Sequence, residues 1–203
     1  MTNNTQIRKL NVADIPSVVG VHLSAFGGFF LSSLGTVFLR KYYKAVILHS
    51  DSICIGYKDE TGKLIGFAVG NCVSKGFHKK ILSKNSLVFF LEGLRLLIIK
   101  PKAVLRLSRN LSKNSNPADH GLYAELLSIG VLASVEGKGI GRQLIEQFEF
   151  MAIKSNAKNV CLTTDKHANE RGLGFYVKNG YDLYYEFTTY PNRQMCKLIK
   201  KIP

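Results

Sequence analysis

A mixed α/β fold, a sheet with helices on its flanks, is predicted for this 203-residue chain by three observations. Apolar residues recur at helical spacing near the N-terminus. The period becomes strand-like between residues 52 and 73, and residues 122–148 read as strand, glycine-rich turn and helix. With 46% hydrophobic residues the chain can bury one sizeable core, so 1–203 is expected to form a single domain.

Thr5 to Leu10 reads as a short first strand, and Val12, Ala13 and Asp14 open a helical pattern carried by Ile15, Val18, Val19 and His22. Residues 23–36, with Phe26, Phe29 and Phe30 among glycines and serines, form either an aromatic lining for a ligand or a packed turn between helices. A second helix follows from Thr36 to Leu48. Ser52–Tyr57 and Leu64–Val73 then form an antiparallel hairpin across the polar turn at 58–63.

Residues 75–119 are expected to be a basic helical insertion between the third and fourth strands. Lysines and arginines there are opposed, up to residue 113, only by Glu92, and they interleave with a dense apolar run. A helix is predicted from Ser86 to Ile99, broken before Pro101, with another to Leu107. Glu92 and Arg95 interrupt the run well short of the about 20 apolar residues that span a bilayer. The segment is a lid, a protomer interface that would make a homodimer, or a surface helix drawn to anionic lipid as a peripheral membrane contact. Leu111 to His120 reads as an exposed loop.

Strand Leu122–Val131 alternates so that Tyr123, Glu125, Leu127, Ile129 and Val131 share one face. Gly137, Gly139 and Gly141 then leave the backbone bare where a helix begins. Free N–H groups at the positive end of a helix hold anions, typically phosphate. The dinucleotide fingerprint is broken at its third glycine, where Arg142 stands, although Asp165 is placed as a tolerable ribose ligand; the nucleotide-triphosphate loop fails more plainly, because Gly137-Lys138 continues with Gly139.

At these residues the chain resembles the GNAT superfamily of N-acetyltransferases, whose motif Arg/Gln-x-x-Gly-x-Gly/Ala is matched at Gly139 and Gly141. Glu136 stands where the family has Arg or Gln, and Ala133 where many members have proline. A carboxylate there must point away from a pyrophosphate or pair with a cation such as Lys138 or Arg142. Downstream, Asn169, Phe175, Tyr176 and Gly180 match the family's second motif, with Gly172 in place of alanine and Tyr181 in place of phenylalanine. The resemblance covers roughly residues 120–190, with a vaguer match over 5–72.

The resemblance implies a central, largely antiparallel sheet and acetyl-coenzyme A as co-substrate. It assigns the diphosphate to Gly137, Lys138, Gly139, Ile140, Gly141 and Arg142. Backbone N–H groups among Ile129, Gly130 and Val131 would take the thioester carbonyl and pantetheine arm. Asn169 either caps its helix or bonds to the cofactor. Glu125 matches the family's general base, needed because an alkylammonium is protonated near neutrality, and Tyr176 matches the general acid for the departing thiolate. The acceptor is expected to be a small-molecule primary amine, such as an amino sugar or nucleotide amino sugar. The rival is a non-catalytic acyl-coenzyme A-binding module that uses the basic segment to reach membrane or a protein partner.

The formal net charge of +14 favours anionic partners, a phosphorylated cofactor, an acidic substrate, nucleic acid or an anionic membrane surface, and selects none of these by itself; with the resemblance above, no nucleic acid is expected. The four cysteines lack Cys-x-x-Cys spacing and read as buried thiols. The five histidines show no metal-ligand spacing, so no metal is expected; His22 and His120 are the plausible acceptor-side groups. Without a signal-peptide core at the N-terminus, the default location is cytoplasmic.

Overall fold

The computed structural model describes residues 6–111 and 119–203. Seven strands form one sheet in the order β1-β2-β3-β4-β5-β7-β6: β1 Ile7–Lys9, β2 Ser52–Lys58, β3 Leu64–Asn71, β4 Ala124–Val131, β5 Asn159–Asp165, β6 Asp182–Thr189 and β7 Arg193–Lys201. Every neighbouring pair is antiparallel except β4 and β5. A parallel pair needs a crossover, and the helix α7, Ile140–Lys154, supplies it. The expected mixed α/β architecture, a mostly antiparallel sheet flanked by helices, is what the chain adopts.

Each face of the sheet carries its own core. On one, Leu144, Ile145 and Phe148 of α7 pack on Ile53, Ile55, Ala68, Leu126 and Leu162, joined by Leu173, Phe175 and Tyr176 of α8, Glu170–Lys178. On the other, α1, Ile15–Ala25, and α3, Thr36–Ile47, bury Val18, Val19, Leu39, Tyr43 and Val46 against Cys54, Phe67 and Val69. Strand β3 is buried along its whole length because both layers press on it. Gly70 shows how closely: a Cβ there would lie 2.1 Å from the Glu125 carbonyl oxygen and 2.6 Å from the Phe148 ring.

Strand β4 departs from the alternation expected of it. Its pairing with β3 shifts register between Val69 and Gly70, so that Leu126 faces Gly70 while Ser128 faces Val69, and Leu127 is the extra residue of a bulge. Ala124 and Leu126 therefore share the α7 core with Ile129 and Val131, whereas Leu127 packs in the opposite core. Glu125 and Leu127 are thus on the other face from Ile129 and Val131.

The N-terminal helix begins later than its pattern suggests. Val12–Asp14 is a 3-10 turn, capped by the Asn11 side chain on the Ala13 N–H, and Pro16 sits in the first turn of α1. The aromatic stretch contains one short helix, α2, Phe30–Ser33.

Three helices join β3 to β4: α4, Phe77–Lys84; α5, Ser86–Ile99; and α6, Pro101–Leu111. The bounds of α5 are those predicted, α6 runs beyond Leu107, and α4 was not anticipated. Most of the loop predicted over 111–120 lies outside the described residues. Among the described residues no disulfide forms, no cluster of ligating side chains could hold a metal ion, and no helix is long and apolar enough to cross a membrane.

Candidate active site

The candidate site lies where β4 parts from β5. These strands pair only at Ala124–Leu126 against Val160–Leu162, after which β4 follows β3 and β5 follows β7. The Leu132 N–H donates to the Ile65 carbonyl, 2.9 Å away. Antiparallel alternation from that bond turns the Gly130 amide toward β3 and leaves the amides of Ile129 and Val131 directed into the gap. Of the three candidates for a backbone donor, Gly130 is thereby excluded. Its role is space: a Cβ there would come within 3.1 Å of Phe26 and 3.2 Å of Phe67.

The glycine-rich turn leads into α7 at the end of this gap. Gly137 and Gly139 both adopt φ +78°, the left-handed region that glycine occupies without strain, and Gly139 is the residue before the first turn. No side chain caps that turn, so its leading amides, from Ile140 to Arg142, remain available. Gly141 faces the Phe175 ring of α8, whose edge would lie 3.5 Å from a Cβ.

Glu136 is neutralised, though not by the expected cations. Its carboxylate accepts from Arg171 of α8, 2.6 Å away, while Arg142 pairs with Glu146 one turn along α7. Lys138 forms no ion pair among the described residues and stays free for an anion. Asn169 does not cap α8; its amide instead donates to Thr164 Oγ1, at 2.7 Å, and to the Asp165 carbonyl, at 3.1 Å, tying the helix start to the end of β5. Gly172 gives the Asn169 side chain room in that arrangement, because a Cβ would stand 2.3 Å from its amide Oδ1 and would push it aside.

Tyr176 lies on the α7 side of the sheet, against the core there. Its ring packs on Phe175 and Tyr181, with centroids 5.2 and 6.0 Å away, and its hydroxyl has no hydrogen-bond partner among the described residues. Burial pushes its pKa up to about 12, so the phenol keeps its proton at neutral pH.

Glu125 stands on the opposite face, in a polar cluster. Its carboxylate accepts from Ser74 and lies 3.5 Å from Lys197 Nζ, which is also 3.3 Å from Asp119. Asp119 additionally accepts from the hydroxyls of Tyr185, at 2.6 Å, and Tyr123, at 2.9 Å. Burial opposes ionisation of Asp119, but those donors, the Gly121 N–H and the Lys197 charge hold its carboxyl below the usual range. Sequence reasoning missed this cluster. Lys197 alone left a signal, as the one charge within the apolar run Met195–Ile199.

The same face opens toward the aromatic stretch. Phe26 covers Gly130 and stacks at a tilt on His22, while Phe29 is exposed with the Arg193 guanidinium 5.6 Å from its ring centre. Arg193 is bidentate to Asp165 at the end of β5. Arg106 and Arg109 of α6 lie 4.5 Å over the rings of Phe30 and Tyr190. His22 is not an acceptor-side group. It is buried beneath Phe26, with Nδ1 2.7 Å from the Tyr43 hydroxyl, and burial lowers its pKa to about 4. His120 is exposed, next to Asp119.

Residues 23–181 match the sequence profile of the acetyltransferase (GNAT) family. The chain belongs to the GNAT family. Solved structures similar to this GNAT chain include the ribosomal-protein-S18-alanine N-acetyltransferase of Escherichia coli, with a TM-score of 0.61 at 14% identity, covering 97% of this chain and 92% of that one. The PaiA N-acetyltransferase of Thermoplasma acidophilum, in complex with coenzyme A, has a TM-score of 0.58 at 17% identity, covering 97% and 98%. Naa20 of Chaetomium thermophilum, in complex with a bisubstrate analogue, has 0.59 at 15%, covering 97% and 86%. At these identities the likeness is one of fold. No curated protein sequence matches the chain.

Family membership makes acetyl-coenzyme A the acyl donor and the protein an acetyltransferase. The residues present suit that donor: uncapped amides behind two left-handed glycines, a free Lys138, a neutralised Glu136 and inward-facing strand amides at Ile129 and Val131.

Proposed function

We propose that this GNAT chain acetylates the primary amine of an anionic small molecule of the amino-sugar or nucleotide-amino-sugar class. The observation that carries the reading is the pair of protonic groups on opposite faces of the sheet: Glu125, on β4 just before it parts from β5, and Tyr176, on α8 next to the Phe175 that faces the glycine-rich turn.

Bound acetyl-coenzyme A supplies an activated acyl carbon and a sulfur leaving group. The α7 amides and Lys138 hold its diphosphate, and Arg171 keeps Glu136 from repelling it. Glu125 takes a proton from the acceptor ammonium, directly or through one water, leaving a neutral amine able to attack. The Ile129 and Val131 amides face the oxygen that gains negative charge. Tyr176, protonated and without another partner, donates to the sulfur as the bond to it breaks.

The mouth supports an anionic acceptor. Arg106 Nε is buried without a partner among the described residues, and burial together with the nearby Arg193 charge lowers the Arg106 pKa. Arg106, its Nε unpaired, and the neighbouring Arg193 suit a phosphate or carboxylate on the acceptor.

The test is release of free thiol from acetyl-coenzyme A across a panel of nucleotide amino sugars, neutral amino sugars, polyamines and peptides. The anionic sugars are expected to give the highest kcat/KM. Glu125→Gln and Tyr176→Phe should each lower kcat by on the order of a hundredfold or more, with coenzyme A affinity nearly unchanged. Tight coenzyme A binding with no turnover on any amine would instead select the non-catalytic acyl-coenzyme A module.

A further inference from the structure

Helix α5 is built inside out. Its inward side carries Glu92, 1% exposed, whose carboxylate is bridged by Lys41 Nζ at 2.6 Å and by Arg95. Leu96 packs beside it with Leu34 and Phe38. Its outward side carries Leu87, Phe90, Leu91, Leu94, Leu97 and Ile98, each 47% to 85% exposed, with no charge among them. The ion pairs and the Leu96 contact fix the rotation of the helix, so those side chains cannot turn inward. An outward face this large and this apolar marks a surface that meets something other than water.

The charges around the face say what it meets. Lys79 and Lys84 precede α5, Lys100 and Lys102 follow it, and all four are exposed. From residue 75 to 111 the only acidic residue is Glu92, already paired inside. A second copy of the chain would bring another formal +14 and no carboxylate from this segment to complement the lysines. An anionic bilayer offers both halves of the match, phosphates for the cations and an acyl boundary for the leucines. Fourteen residues make a helix about 21 Å long, suited to lying in the interface plane with lysines at both ends.

We propose that α5 seats the enzyme on anionic membrane surfaces as a peripheral protein. The inference is independent of the acetyl-transfer reading and survives if that fails.

Co-sedimentation of the full chain with phosphatidylglycerol–phosphatidylcholine vesicles, against phosphatidylcholine alone, tests it. Binding is expected only with the anionic lipid and should fall as salt is raised. Replacing Lys84 and Lys102 together by glutamine should weaken it by roughly 25-fold, each cation near the surface contributing about fivefold. Phe90→Glu with Ile98→Glu should abolish it, while coenzyme A binding and circular dichroism confirm an intact fold. Because the chain contains no tryptophan, Ile98→Trp gives a clean probe whose emission should shift to the blue on anionic vesicles. Failure of the wild-type chain to pellet with anionic vesicles would overturn the proposal. So would equal pelleting by the double-glutamate variant, or a concentration-dependent dimer that the double-glutamate variant loses.

Discussion

Glu136 is where this chain leaves the family's phosphate-binding pattern, and Arg171 is what makes the departure tolerable. The bridge is largely exposed and contributes little to stability, within about 1 kcal/mol, so its effect belongs to ligand binding. Arg171→Ala should raise the coenzyme A dissociation constant several-fold in isothermal titration, because it leaves a carboxylate facing a diphosphate. Glu136→Gln added to that variant should restore affinity. If Arg171→Ala binds as the wild type does, the carboxylate plays no part in the phosphate site. The glycine motif was readable from sequence because its signal is local: spacing alone puts bare amides at a helix start. Arg171 was not readable, since its partner lies 35 positions earlier and only the fold brings α8 back to the turn.

At the scale of elements, the hairpin, α3, α5 and the strand–turn–helix unit were all visible, because each has a sustained period and clear ends. Helix α4 is illegible in the sequence: of its apolar residues only Phe77 and Ile81 are buried, and Lys79, Lys80 and Lys84 dilute the pattern. Strand β4 is legible in the sequence but its change of face is not, since a bulge is set by the partner strand and leaves no mark on the apolar pattern. Two glycine substitutions probe these elements with opposite signs. Gly70→Ala drives a methyl into the Glu125 backbone across from the bulge, and should destabilise by about 2–3 kcal/mol in urea unfolding. Gly93→Ala in α5 meets nothing within 4 Å and should stabilise by roughly 0.5–1 kcal/mol. An unchanged unfolding midpoint for Gly70→Ala would mean that β3 and β4 part far enough at this point to admit a methyl group.

For the whole molecule, acid sensitivity follows from two histidines held neutral. Burial lowers the His22 pKa to about 4, and burial with Lys84 and Lys80 nearby lowers that of His49, against the opposing pull of Asp51. The unfolded chain binds those protons near pH 6.5 and the folded chain does not, so stability is full above that pH and declines as pH falls toward 4. For His22 the loss would approach about 3 kcal/mol at the lower end. Asp14 and Asp119, whose pKa values are lowered, add to the decline only below about pH 4, as they take up protons. Urea midpoints from pH 7 to 4.5 should show this slope, and His22→Gln should flatten it. A variant with the wild-type slope would assign the acid limb elsewhere.

The sheet also divides labour between its two sides, and the extra residue near Leu127 is what lets a single strand serve both. Before it, odd positions look toward the chemistry; beyond it, they look toward the buried layer under α7. Parity of residue number is therefore a constraint of this strand. Removing one residue there would force a choice between hiding Ile129 with Val131 and presenting Glu125, so at that point this strand tolerates an exchanged side chain far better than a changed length.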